Sequence, residues 1–198
     1  MSRFVEESIV AAGLGPVLAA HRSGDREALG AAMAPVRAAD LMVLGALADL
    51  VRSEDTGETV YVHERYGRGG PSLSEVTWIQ SETGVSELDV LRAVATARMN
   101  ATKGARIGID WSQCGIELAQ VALGFGATDL QGPMMRKSGL PIYEDETQKV
   151  KGQGMVELRS IRRREIAALV MHAGRVPVFV DEHALRPHDP AREVAHNA

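Results

Sequence analysis

The chain has 198 residues, 45% of them hydrophobic and 24% charged, an ordinary balance for a soluble, cytoplasmic, single-domain protein. Twenty-two Lys plus Arg against 26 Asp plus Glu leave a net charge of −4, too weak to hold a nucleic acid or an anionic membrane by bulk electrostatics. One cysteine, Cys114, excludes an internal disulfide, a four-thiolate zinc site and the three thiolates of a conventional iron–sulfur cluster, so no cluster cofactor is expected.

The longest apolar runs, residues 41–50 and 121–125, fall short of the roughly 20 residues of a membrane-spanning helix. Arg3, Glu6 and Glu7 break up the apolar N-terminus, so the chain reads as cytoplasmic, neither spanning nor secreted.

Phe4, Ile9, Leu14, Val17 and Leu18 recur at helical spacing, and Gly13, Gly15 and Pro16 interrupt them, which predicts two short helices. Residues 35–52 predict one longer helix, with proline in its first turn, Leu41, Leu44, Leu47 and Val51 along one face, and Gly57 beyond its end. Residues 59–62 alternate and are rich in β-branched and aromatic side chains, a strand that ends at His63. Gly67, Gly69, Gly70 and Pro71 then punctuate a loop.

Further strands are expected at 76–80, 105–111, 127–130 and 176–180, with helices at 87–100, 116–124 and 161–172 between them. Residues 148–151 and 155–158 read as a small hairpin about a Gly-Gln turn. Short strands alternating with 10- to 15-residue helices are the signature of parallel β-α-β units. The expectation is a single α/β domain over 1–184, with N-terminal helices to residue 56 and a partial (β/α) barrel-like parallel sheet after them. The tail 185–198 is expected to be mobile.

Three collinear segments resemble one family. The first is residues 39–52, followed by Gly57 and Val60-Tyr61-Val62. The second runs from 91–99 through Ile109-Asp110-Trp111 to 118–130, where Ala-Gln-Val-Ala-Leu precedes Phe-Gly-Ala. The third is residues 173–178. They are similar to the barrel entry, the last barrel strands and the closing strand of the radical SAM enzymes of futalosine-dependent menaquinone biosynthesis. Those are aminofutalosine synthase and the dehypoxanthinyl futalosine cyclase, with deazaflavin synthase a more distant relative.

Where that family places three cluster-binding cysteines, this chain has His63-Glu64-Arg65-Tyr66-Gly67-Arg68-Gly69-Gly70 and passes at once to the strand at 76–80. The resemblance therefore implies a truncated, cluster-less relative, with neither the thiolate anchor for SAM nor the electron source that cleaves it. Five expected strands are too few to close a parallel barrel of about 250 residues. The open edges call for cover by the N-terminal helices, by a second copy in a homo-oligomer, or by a complete radical SAM enzyme.

Ligands of parallel α/β sheets bind at the carboxyl ends of the strands. That rule selects His63, Glu64 and Arg65 after the first strand, Gln80 after the second, Asp110, Ser112 and Gln113 after the third, and Asp129 with Gln131 after the fourth. Such a set suits a small polar molecule, a nucleoside or carboxylated aromatic by the resemblance, though strand-end polar groups also cap helices and satisfy loops. His63 and Glu64 are candidates for an acid/base pair if the chain leaves extended geometry between them.

Other features have plainer alternatives. Cys114 precedes a helix start, where a thiol is activated, or is a small apolar filler. Gly67-Arg68-Gly69-Gly70 and Lys151-Gly152-Gln153-Gly154 lack phosphate-loop spacing. Arg159, Arg162, Arg163 and Arg164 are an anion site or a solvated face paired with Glu144, Asp145, Glu146 and Glu165. Asp181, His183, His188 and Asp189 are metal ligands or a solvated terminus. Two functions remain: a protein that binds a small polar molecule at the strand ends, and a non-catalytic partner of a complete radical SAM barrel.

Overall fold

A computed structural model describes residues 3–64, 75–81, 84–135, 147–150, 154–157, 160–181 and 184–187. Five helices lead the chain: α1 (Arg3–Ala11), α2 (Gly15–Ser23), α3 (Arg26–Ala32), α4 (Ala34–Ala38) and α5 (Leu41–Thr56). The single helix expected over 35–52 is thus two. Ala39 takes extended geometry, and the Asp40 carboxylate accepts from the amides of Met42 and Val43 at 2.9 and 3.2 Å. An aspartate that caps the next helix competes with continuing the previous one, and here the cap prevails.

The strands and remaining helices follow as β1 (Thr59–Glu64), β2 (Val76–Ile79), α6 (Glu87–Asn100), β3 (Arg106–Asp110), α7 (Trp111–Cys114), α8 (Ile116–Leu123) and β4 (Asp129–Gly132). After them come β5 (Thr147–Val150), β6 (Gly154–Glu157), α9 (Arg163–His172), β7 (Val176–Asp181) and β8 (Ala184–Pro187). Six strands form one sheet in the order β2-β3-β4-β1-β7-β8. The first five are mutually parallel, and β8 runs antiparallel to β7. The chain is an α/β protein with an N-terminal helical segment. Its central strand, β1, hydrogen-bonds to β4 and β7, which both come later in the chain.

Two expectations are corrected in detail. The fourth strand begins at Asp129, two residues later than expected, although Thr128 already donates its amide to the Ile107 carbonyl and accepts from the Tyr61 amide. Residues 184–187, mostly within the tail expected to be mobile, pair with β7. The expected hairpin is present as the antiparallel pair β5-β6, and its turn lies outside the described residues.

Register sorts the sheet into two faces, since residues paired across neighbouring strands point the same way. Val62, Leu130, Ile109 and Phe179 lie in one row on one face, with Val60 and Ile107 beside them. They join Leu44, Leu47, Val51, Val94, Leu123 and Ile166 of α5, α6, α8 and α9 in a continuous apolar core. Gln120 of α8 donates to the Leu169 carbonyl of α9 at 3.2 Å, which links two helices of that layer.

Buried arginines tie the helices to the strand starts. Arg98 of α6 donates to the carbonyls of Gly126 and Ala105 at 2.9 and 2.7 Å, and burial pushes its guanidinium down to about 10. Arg52 of α5 and Arg175 before β7 converge on Asp49 and Glu58. Burial alone would raise the Glu58 carboxyl, but Arg52, Ser53 and Arg175 outweigh it and hold the group below the usual carboxylate range.

Candidate functional site

The sheet face opposite the helix layer carries its polar groups on β1, β3 and β4, while β7 sets Val178 and Val180 beside Tyr61 and His63. Tyr61, Asp129, Gly108 and Trp78 form one row across β1, β4, β3 and β2, and His63, Gln131 and Asp110 form the next row toward the strand ends. The strands put these groups on one face because they occupy every second position: 61 and 63, 106, 108 and 110, and 129 and 131.

Asp129 is the hub and has no solvent exposure. Its Oδ1 accepts from His63 Nε2 at 2.6 Å and from Arg106 Nη2. Its Oδ2 accepts from Arg106 Nε at 3.2 Å and from the Thr128 hydroxyl at 2.7 Å. A carboxylate taken out of water is tolerated only with this degree of pairing. The Arg106 guanidinium also stacks on the Tyr61 ring, 3.9 Å from its centroid, so two contacts hold its plane.

Trp78 meets the His63 ring edge to face at 5.6 Å and 82°. It reaches that position from the edge strand because Gly108 lies between them with no side chain. A Cβ there would overlap the indole and come within 2.9 Å of Val76. In the second row, Asp110 Oδ1 accepts from the Ser112 amide at 2.8 Å and the Ser112 hydroxyl at 2.6 Å, capping α7, and Oδ2 accepts from Gln131 Nε2 at 3.3 Å.

The structure therefore brings His63, Asp110, Ser112, Asp129 and Gln131 into one connected region of a single face. It places the others differently. Glu64 remains in extended β1 geometry beside His63, so the two side chains point to opposite faces and the carboxylate beside His63 is that of Asp129. Asp129 and Gln131 lie within β4 rather than after it. Gln113 accepts from the Ser81 amide at 3.2 Å and so holds the segment after β2. Gln80 is exposed just past β2, and Arg65 lies outside the described residues.

Sequence reasoning missed Arg106, Tyr61, Trp78 and Thr128. The polar alternation at 106, 108 and 110 was the available signal, but a search confined to strand ends passes over residues at strand starts.

The plainer candidates sort as follows. The Cys114 thiol donates to the Asp110 carbonyl at 3.3 Å. Arg163 covers the Phe179 ring at 4.0 Å, and Arg162 pairs with Glu165 at 3.6 Å. Gly67, Arg68, Gly69, Gly70, residues 151–153, Arg159, His183, His188 and Asp189 lie outside the described residues, as does the Asp181 side chain. Among the described residues no group of three His, Cys, Asp or Glu side chains is placed to hold a metal ion, and no helix is long and apolar enough to cross a membrane.

Fold and face together define a parallel α/β protein with a His–Asp–Arg cluster, its histidine and aspartate buried, on the sheet surface away from its helices. No family model matches the chain. It is similar to aminodeoxyfutalosine synthase of Thermus thermophilus, 33% identical over 94 residues, which is 48% of this chain and 23% of that protein. The matched stretch is under a quarter of the relative's length, and the relationship is distant.

A three-thiolate iron–sulfur cluster does not suit these residues. The sole thiol, Cys114, is turned to a backbone carbonyl, and the Asp110 carboxylate beside it is engaged as a helix cap.

Proposed function

We propose that this chain binds a small polar molecule, of the nucleoside or carboxylated aromatic class, on the polar face of its sheet in futalosine-linked chemistry. It does so without a cluster of its own. The observation that carries this reading is the interlocking of buried His63 and Asp129 with the partly exposed Arg106 on the sheet face away from the helices. Polar groups taken from water and paired at mid-sheet cost folding free energy, and sites that need them for a ligand are where such groups concentrate. The name of the Thermus relative supports the choice of chemistry.

In this reading Asp110 and Gln131 supply hydrogen bonds at the strand ends, Trp78 and Tyr61 supply aromatic walls, and Ser112, Gln113 and Gln80 border the site. The test is calorimetric titration of the purified protein with aminodeoxyfutalosine and with benzoate-type carboxylates, together with mass spectrometry of small molecules released on denaturation. Micromolar binding of one of these, weakened at least tenfold in Asp110→Asn, is expected. No binding by either class, and no released molecule, overturns the reading.

A second reading has its own observation. The strand β2 closes one side of the sheet with four residues and pairs only with β3 among the described residues, and an edge of a parallel sheet is a template for another chain. It makes this chain a structural partner of a complete radical SAM enzyme or of a second copy. Light scattering at micromolar concentration, alone and mixed with the Thermus enzyme, separates the two readings.

A further inference from the structure

We infer that His63 is a proton acceptor for the molecule bound on this face, acting through Nδ1, and that Asp129 and Arg106 are the positioning residues that make it one. The inference rests on the binding reading above and adds a chemical step to it.

An ionised carboxylate has no proton to donate, so the 2.6 Å contact between Asp129 Oδ1 and His63 Nε2 requires the imidazole proton to sit on Nε2. With the proton on Nδ1 instead, two lone pairs would face each other at that distance. The 3.2 Å approach of Arg106 Nη2 to the same nitrogen would suit the other tautomer, but it is the longer contact, and both groups are directed at the same Asp129 Oδ1. It does not supply a proton to imidazole. Arg106 already balances the charge of Asp129, so a second resting cation beside it has no counter-charge.

The imidazole is thus left with Nδ1 as a bare lone pair, and no described residue bonds to it. The ring is held from three sides: by Asp129, by the Arg106 guanidinium, and by the edge-to-face contact with Trp78. Arg106 is itself fixed by its two-pronged grip on Asp129 and by stacking on Tyr61.

The step that follows is balanced without any oxidant or cofactor. An O–H or N–H bond of the bound molecule breaks, its electron pair stays on that oxygen or nitrogen, and the proton forms a bond with Nδ1. The resulting imidazolium keeps its Nε2–H bond to Asp129, and the negative charge left on the bound molecule beside Nδ1 is its counter-charge. The ligand class is a molecule that presents an acidic O–H or N–H, not one that only accepts hydrogen bonds.

The experiment is long-range proton–nitrogen NMR on the full, ligand-free chain near neutral pH, with the His63 signals assigned by their loss in His63→Gln. The expected result is a single Nε2–H tautomer with an unprotonated Nδ1 signal. In Asp129→Asn that signal shifts toward the tautomer mixture of free imidazole. Arg106→Lys, which keeps the charge and loses the fork, is expected to broaden or split it, whereas a purely structural Arg106 would leave it unmoved. A Nδ1–H tautomer in the unaltered chain overturns the proposal, and this reading needs no variant to fold. Failure here with ligand binding intact removes the proton step alone, whereas loss of binding with the tautomer as described removes the binding function alone.

Discussion

The indole of Trp78 on β2 lies across Gly108 of β3, with Cε3 and Cζ3 in the space a side chain on residue 108 would need. The chain's other tryptophan, Trp111, stands over Gly132 of β4 in the same way and is fully buried. Both close approaches depend on a missing Cβ.

Gly108→Ala is therefore expected to destabilise the protein by about 1–3 kcal/mol, the usual cost of overpacking, and to displace Trp78 from His63. Gly132→Ala is expected to cost more, because Trp111 has no solvent side toward which to retreat. Urea midpoints and the tryptophan emission of each variant check the order. Equal or smaller loss in Gly132→Ala contradicts the packing argument.

Asp129 and Asp110 are both acidic and both on the polar face, yet their replacement should differ sharply. Asp129→Asn takes the counter-charge from Arg106, a fifth of whose side chain is still reached by water, and weakens the acceptor for His63 and Thr128, which costs about 1–3 kcal/mol. Asp110→Asn retains an oxygen to accept from Ser112, so a loss below about 1 kcal/mol is expected. Chemical denaturation of the two variants side by side gives the comparison, and it identifies Asp110 as the cleaner probe of ligand binding.

Asp40 separates α4 from α5 by its cap. Asp40→Ala should cost about 0.5–2 kcal/mol, with hydrogen exchange accelerating first at Met42 and Val43, whose amides lose their acceptor. Protection unchanged at those two amides would show that the break at Ala39 has another cause.

His21 of α2 lies 3.8 Å from Asp55 of α5 with little solvent access. Burial is the largest influence and holds its imidazole below the usual value of 6.5. Asp55 and Glu54 oppose that shift, and Arg98 and Arg26 assist it. Because the native state then resists a proton that the unfolded chain accepts, stability is complete above about pH 6.5. It falls as the pH drops below that value and levels off beneath the native pKa. Replacing His21 with Gln should remove this part of the pH dependence, as measured by urea midpoints at closely spaced pH values. An unchanged slope would mean that His21 is not its source.

The alternation of residues 59–64, the spacing of 87–100 and the order of strands and helices were legible because each depends on a period of two or 3.6 within a few neighbours. The α/β class followed from them. The same local reasoning named His63, Asp110 and Asp129, since polar residues bordering apolar strands are conspicuous. It failed at residue 39, where one carboxylate's hydrogen bonds to two amides outweigh an uninterrupted helical pattern.

What the linear order of residues determined about this protein is the character of its elements, its single thiol and the list of polar groups available to a site. Which of these groups meet was decided only when β4 and β7 took places on either side of β1. Strand neighbours are chosen by pairing between segments more than 60 residues apart, and register then sets Asp129 beside His63 and turns Glu64 away. No local pattern encodes that choice, because a shift of one residue in register reverses the face of every side chain in the strand.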